Sequence, residues 1–389
     1  MSGDTGVRIA FLTHTGAPSG AELAFARLAG ALGRRGFRPI VVMTEAGSLV
    51  DVLTNEGVAS TVVETAFVSR KMTIGTAVTG LVAGACAILR TGWRLGTVVR
   101  DLDAEVVVAE SSKALLMGIV ASRRARIPLV WHVHDRVSRE YFGPLLFILV
   151  RILGLGASGY LANSFGTLAT LWTARRPASV CYPGVVLSAT LPRAPQRQPA
   201  DVRLVMVGRL TEWKGQDLVL EAMALTESKA CIRFIGGTHF GEEPYAEALT
   251  ERAIDLGIAD RVEFVGHTDD PFQELANADV AIHYSRLSEP FGQVVVEAMA
   301  SGCAVLAAGA GGPTEIITDG VDGLLVAPGC PAELAIAIDQ VVADTGLRER
   351  LATAARVRAQ DFAIERSAAV AGSLFHQVVP RNVLMGATP

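Results

Sequence analysis

Cysteine is scarce and unpatterned in this chain. Five residues in 389, at Cys86, Cys181, Cys231, Cys303 and Cys330, are odd in number and show no C-x-x-C spacing. That argues against a disulfide framework or a cysteine zinc site and suits a reducing compartment. Charge of one sign is also lacking: a formal net charge of -4 gives no global attraction to nucleic acid or acidic membranes, so any basic site is local. Charged residues make up only 19% and hydrophobic ones 50%, which excludes a disordered chain and supplies ample core. No tandem repeat of short period and no low-complexity tract is present. The glycine loop that follows the first strand-like run, Thr13 to Glu22, lacks the dinucleotide fingerprint G-x-G-x-x-G, which disfavours a dehydrogenase. His14, His239, His267, His283 and His376 fall into no metal-binding spacing. No signal peptide precedes the first strand-like run, Val7 to Leu12, so the expectation is a cytoplasmic protein.

Two stretches come near to long apolar runs. Met72 to Leu89 carries no charge and approaches the ~20 residues that span a bilayer. Gly75, Gly80, Gly84 and three threonines dilute it. Gly143 to Gly159 is broken by Arg151 and by glycines. Both are read as core-facing helices of a large domain, with shallow membrane contact as the minority reading.

What is present is alternation. Apolar strands are expected at Val7–Leu12, Pro39–Thr44, Glu105–Ala109, Leu129–Val133 and Gly159–Ala162, with helical patterns between them. Pro183 to Asp201, with Pro183, Pro192, Pro195 and Pro199, interrupts the rhythm. Strands resume at Val202–Val207, Cys231–Ile235, Val262–Val265, Val280–His283 and Ala304–Ala307. Short apolar strands separated by helices describe parallel sheets covered on both faces. The reading is α/β: a first doubly wound, Rossmann-like domain at 1–184, a linker at 185–200 and a second such domain at 201–370. Residues 371–389 are expected to return to the first domain, and an interdomain cleft is expected to hold the ligand.

In such sheets ligands bind beyond the carboxyl ends of strands, near helix N-termini. Gly208-Arg209-Leu210-Thr211-Glu212-Trp213-Lys214-Gly215 follows the first strand of the second domain. Arg209 and Lys214 there suit a diphosphate and the charge it gains on leaving. Glu289-Pro290-Phe291-Gly292-Gln293-Val294-Val295-Val296-Glu297 sets two carboxylates eight positions apart across a loop-to-helix junction. Backbone N–H groups of Phe291, Gly292 and Gln293 lie at the helix start. Glu297 lies in an apolar helix, where a carboxylate is costly unless bound, and ribose hydroxyls would serve. Glu289 lies on the loop, where a polar sugar edge could meet it. Gly309-Ala310-Gly311-Gly312-Pro313 is read either as backbone approaching a ligand or as a turn capping the next helix.

In the first domain, Thr13 to Glu22 is a glycine loop opening a helix, a place for an anion or sugar. His134 and Asp135 emerge at the carboxyl end of the strand from Leu129. Two signals are discounted. Asp101-Leu102-Asp103 matches D-x-D by letters but lies at the amino end of a strand and reads as a turn. Asp269-Asp270-Pro271 reads as a helix N-cap.

With these residues the chain resembles glycosyltransferase family 4, a retaining family with the GT-B fold. The likeness runs through the opening strand and glycine loop, His134-Asp135, Tyr182-Pro183-Gly184, Gly208-Arg209-Leu210, Lys214-Gly215, Glu289 to Gly302, and Gly311-Gly312 with Glu315. The resemblance implies that Arg209 and Lys214 hold the donor diphosphate and that Glu297 binds ribose. It sets Glu289 and His134 beside the transferred sugar. Phe291, Gly292, Gln293 and Val294 would give main-chain contacts to the donor, joined by Gly208, Gly312 and Gly16. Ser19, Gly20, Glu22 and Asp135 fall on the acceptor side. It further implies front-face attack in which the leaving phosphate takes the acceptor's proton, with no cofactor, no metal and no enzymic nucleophile. UDP is the expected nucleotide. Expected partners are a nucleotide-sugar donor and a hydroxyl-bearing acceptor (polysaccharide, lipid-linked sugar or small natural product), with no nucleic acid. The opening loop departs from the family's paired glycines, reading Gly16-Ala17-Pro18-Ser19-Gly20, and the usual Asn after Pro183 is replaced by Gly184. A nucleotide-sugar epimerase and a non-catalytic homologue are the competing readings.

Overall fold

A computed structural model of the chain describes residues 6–64, 78–187, 201–238, 241–268 and 270–380. Met72 to Ala77 of the first apolar stretch lie outside the described residues, as do most of the expected linker, His239, Asp269 and positions 381–389. The chain forms two compact units. One runs to Gly184 and takes up the chain again from Ile364; the other is Val185–Ala363. The chain thus re-enters the first unit at Ile364, earlier than the expected position 371.

The first unit is built on a seven-stranded sheet: β1 (Arg8–Thr13), β2 (Arg38–Met43), β3 (Ala59–Val62), β4 (Val106–Ala109), β5 (Leu129–Val133), β6 (Gly159–Ala162) and β7 (Ala178–Val180). Their order is β3-β2-β1-β4-β5-β6-β7, and every pairing is parallel. Val106 to Ala109 and Leu129 to Val133 are buried throughout because helices cover both faces. One face packs under the helices Val78–Asp101, Ser112–Ala125 and Leu146–Gly154, through Leu95, Val99, Leu115, Met117 and Val150. On the other, Phe11 of β1 stacks on Phe25 at 6.4 Å and meets Phe375 edge-on at 6.5 Å. Phe375 belongs to the returning helix Ile364–Val378, which therefore completes this core.

The second unit repeats the plan with β8 (Arg203–Val207), β9 (Cys231–Ile235), β10 (Val262–Gly266), β11 (Val280–His283), β12 (Ala304–Ala308) and β13 (Leu324–Val326), ordered β10-β9-β8-β11-β12-β13. All pairings are again parallel. The strand order reverses direction between β8 and β11, where Leu204 pairs with Val280. The carboxyl ends of those two strands are the switch point, the place in such sheets where ligands bind.

Three strands escape the sequence reading: β3, β7 and β13. Each has only three or four residues, and none is fully buried, so no apolar run marks it. The strand Val280–His283 has the expected bounds, and just before it the Asp279 carboxylate accepts from the Arg203 amide at 3.0 Å. The expected core-facing helix in Gly143–Gly159 is found at Leu146–Gly154, but it faces the core on one side alone: of its residues Val150 and Gly154 are buried.

Candidate functional site

The loop after β8 and the loop after β11 lie side by side at the switch point of the second unit. Glu212–Lys214 is a single 3-10 turn closed by Gly215. Gly215 has φ +76°, and an added Cβ would come 2.4 Å from the Tyr284 carbonyl oxygen, so glycine is required there twice over. The Arg286 amide donates to the Trp213 carbonyl at 2.8 Å, and the Gln216 side chain donates to the Arg209 carbonyl at 2.8 Å. The first bond ties the Lys214 turn to the loop after β11, and the second ties the Arg209 backbone to the start of the helix Gln216–Leu225.

Lys214 and Glu289 form an ion pair within that frame. The Ser285 hydroxyl donates to Glu289 Oε1 at 2.7 Å, and His283 Nε2 lies 3.0 Å from Oε2. Burial alone would push the Glu289 carboxyl up. His283 and Lys214 outweigh it and hold the group well below the usual carboxylate range. Glu289 is therefore not an open loop carboxylate awaiting a sugar: both oxygens are engaged and the residue is buried. The Lys214 ammonium also lies 4.4 Å from the Trp213 ring centroid. Arg209, less buried, pairs with Glu242 at 3.3 Å.

Gln293–Ser301 is a helix flanked by Gly292 and Gly302, both left-handed. Gly292, Gln293 and Val294 thus stand at its start, as the sequence predicts. Glu297 is buried and accepts from the Gln293 side chain at 2.7 Å, one helical turn away. The Phe291 side chain is core, 5.8 Å from the Phe362 ring, so only its backbone is left for a ligand. Gly312 serves the loops themselves. Its amide donates to the Glu289 carbonyl at 2.9 Å, and a Cβ there would fall 1.9 Å from the Phe291 carbonyl oxygen. Gly208 follows β8 directly, with its amide donating to the Ile235 carbonyl at 2.8 Å.

In the first unit two of the expected acceptor-side residues, Ser19 and Glu22, are engaged with each other. Ser19 caps the helix Gly20–Arg34, and the buried Glu22 carboxylate accepts from the Ser19 amide at 3.2 Å and from its hydroxyl. That is a capping box, with Glu22 turned onto the helix start. Gly16 packs against Ala46 and Gly47, and its carbonyl accepts from Leu49 at 2.9 Å. Gly20 begins the helix with open space beside it, and Asp135 is exposed at the end of β5.

His134 is found in a buried cluster that the sequence reading missed. His134 Nε2 lies 2.9 Å from Glu110 Oε2, and His132 Nδ1 lies 3.0 Å from the same oxygen. The two imidazole rings are 4.2 Å apart between centroids. Burial pushes both imidazoles down, and Glu110 opposes it. For His134, Glu110 prevails and its pKa is raised; for His132, burial prevails and its pKa is lowered. Glu110 itself would be raised by burial but is held low by the two histidines. Among the described residues these three donor atoms, all within 4.8 Å of one another, are the group that could hold a metal ion. One nitrogen of each histidine meets a Glu110 oxygen. The signal for Glu110 was available: it ends the run Val106-Val-Val-Ala-Glu110 at the carboxyl end of β4. His283 was discounted for want of metal spacing, yet it stands against Glu289.

The discounted motifs behave as turns and caps. Asp103 has φ +50° in the turn before β4, and Asp270 caps Pro271–Ala276 by accepting from the Gln273 amide at 3.0 Å. His14 Nδ1 lies 3.0 Å from the Ser111 hydroxyl, and burial together with Lys113 pushes it down to about 4.

Two parallel α/β units of this topology, with ligand loops at a strand switch point, define the GT-B class of fold. Residues 18–189 match the profile described as Glycosyltransferase Family 4, and residues 190–358 match Glycosyl transferases group 1. The chain belongs to glycosyltransferase family 4. The crystal structure of Anabaena Alr3699/HepE in complex with UDP and glucose superimposes with a TM-score of 0.80 at 27% identity, covering 95% of this chain and 100% of that one. The D-inositol 3-phosphate glycosyltransferase of Frankia alni is 35% identical over 222 residues, 52% of this chain and 54% of its own. The lipopolysaccharide core biosynthesis glycosyltransferase LpsE of Rhizobium meliloti is 39% identical over 161 residues, 41% of this chain and 45% of its own. The chain spans about half the length of the curated relatives it matches.

Proposed function

We propose that this protein moves a sugar from a nucleoside diphosphate donor, UDP in the first instance, to a hydroxyl of its acceptor with retention at the anomeric carbon. The observation that carries the reading is the Lys214–Glu289 pair with Arg209 nearby on the loop after β8, at the strand switch point. A fixed cation placed where a helix begins and a sheet ends suits a diphosphate. The bond from the anomeric carbon to the β-phosphate oxygen breaks, the acceptor oxygen bonds to the same carbon, and the acceptor proton passes to the leaving phosphate. Lys214 and Arg209 stabilise the negative charge that grows on that phosphate. Glu297 takes the ribose hydroxyls, and the helix start at Gly292 to Val294 offers main-chain donors.

Glu289 has a narrower part in this scheme than a sugar-facing carboxylate. With Lys214, Ser285 and His283 around it, it is a positioning residue that sets the ammonium in place. No nucleophile and no metal enters the scheme. The free cysteines, Cys86 and Cys231 among them exposed, fit a cytoplasmic location.

The test is release of UDP from UDP-sugars by the purified full chain, measured with and without acceptors of two kinds. One is an inositol phosphate, after the name of the Frankia alni relative, and the other a lipid-linked saccharide, chosen because the Rhizobium meliloti relative is named for lipopolysaccharide core biosynthesis. Acceptor-dependent release with the α-linkage of the donor preserved supports the reading. No binding and no release with any donor overturns it.

A further inference from the structure

The helical layer over one face of the first sheet carries a surface that sugar transfer does not use. Leu146–Gly154 reads LFILVRILG and turns Val150 to the core. Leu145, Ile148, Leu149 and Ile152 stand at i, i+3, i+4 and i+7, so they line up on one side of the helix. That side faces water: Leu145 is 80% exposed, Leu149 50% and Ile152 51%. Leu146 adds to the same patch. A helix apolar on its outer as well as its inner side marks an interaction surface.

Charge on the neighbouring helices is one-sided. The helices Val78–Asp101, Ser112–Ala125 and Leu146–Gly154 together carry seven Lys and Arg against one acid, Asp101, within a chain whose net charge is -4. No Asp or Glu occurs between Tyr141 and Ala200. On the helix Val78–Asp101, Arg90 and Arg94 flank Trp93, which is 58% exposed. Trp93 and Val120 share a groove with Arg100, Arg123, Arg124 and Arg126, and the Arg124 guanidinium lies 3.8 Å from the indole centroid. The three helices form one layer. Gly92 lets Val78–Asp101 close on Val120, and Gly156, just after Leu146–Gly154, packs on Ile119 of the middle helix.

We propose that this layer docks on an anionic lipid bilayer, with the Leu145–Ile152 stripe lying in the head-group boundary and the arginine groove holding lipid phosphates. Aliphatic side chains, an indole and clustered arginines are the composition such an interface selects. A second copy of the chain is the poorer occupant, because a two-fold contact through this face would set arginines against arginines. Docking is peripheral: among the described residues no helix is long and apolar enough to cross a membrane.

The full chain is sedimented with phosphatidylcholine vesicles, with and without phosphatidylglycerol, while tryptophan emission is recorded. The expected result is pelleting with the anionic vesicles only, a blue shift, and release at high salt. Leu149→Glu with Ile152→Glu, both at exposed positions, lowers binding at least tenfold. Arg123→Glu with Arg126→Glu removes the preference for anionic lipid. Both double variants keep native circular dichroism and wild-type affinity for UDP, so failure of docking and failure of the transfer reading are told apart. Equal pelleting with neutral vesicles, no pelleting, or undiminished binding by the variants overturns the proposal. So does a lipid-free dimer in sedimentation velocity that Leu149→Glu with Ile152→Glu dissolves.

Discussion

Each unit holds a buried carboxylate at the carboxyl end of its sheet, but the two are balanced differently. Glu289 is held by Lys214 with His283 and Ser285 behind it, whereas Glu110 is shared by His132 and His134 alone. An ammonium stays charged across the physiological range; an imidazole does not. The second unit therefore holds a cation whose charge is constant near neutral pH, and the first holds a proton whose location depends on pH. The same sheet plan thus carries two kinds of electrostatics, set by which cation meets the carboxylate.

The largest expected effect is on the fixed charge. Lys214→Ala should lower UDP release by roughly 10²- to 10³-fold, the usual loss for one transition-state electrostatic donor. Circular dichroism should stay native, since Glu289 keeps Ser285 and His283. Full turnover in this variant would remove Lys214 from the leaving-group role and break the comparison.

Next is the shared carboxylate. Glu110→Ala leaves two buried imidazoles without their acceptor, a change in the class that costs about 3–5 kcal/mol of stability. Urea unfolding measures it, and a loss under about 1 kcal/mol would mean that the cluster is incidental.

Proton location sharpens the contrast further. His134 should titrate above its ordinary 6.5 and His132 below it. Because the folded value for His134 is raised, its stabilisation is complete below the unfolded value and fades as pH rises through the folded one. Glu289 works in the opposite direction: its folded value is depressed, so its stabilisation is present above about 4.5, the unfolded carboxyl value, and is lost only as pH falls through the folded one. Histidine side-chain NMR of wild type and Glu110→Gln checks the first statement. Coincident titration of His132 and His134 in the wild type would contradict it.

The smallest effect belongs to the capping box. Ser19→Ala should cost about 1 kcal/mol in thermal unfolding and leave donor affinity untouched. A change in transfer far beyond the stability loss would return Ser19 to a functional part.

These contrasts also mark what the sequence made legible. Long strands such as Leu129–Val133 and Ala304–Ala308 announce themselves because burial on both faces leaves an apolar run. Short edge strands such as Leu324–Val326 do not, since half-exposed residues carry no period. Arg209, Lys214, Glu289 and Glu297 are readable because each lies within a few residues of a strand end or helix start. Their partners are not. The Lys214–Glu289 pair spans 75 positions and the His134–Glu110 pair 24, and only the strand order of each sheet brings them together. Glycines mislead in the same way: Gly312 has the look of a ligand loop, but its amide is spent on Glu289.

The central claim is that the loops after β8 and β11 of the second unit take the nucleotide. Hydrogen–deuterium exchange of the full chain with and without UDP tests it most directly. The account predicts slower exchange in Gly208–Gly215 and Pro290–Glu297, and loss of that protection in Lys214→Ala. Protection confined to other segments, or none at saturating UDP, would contradict it.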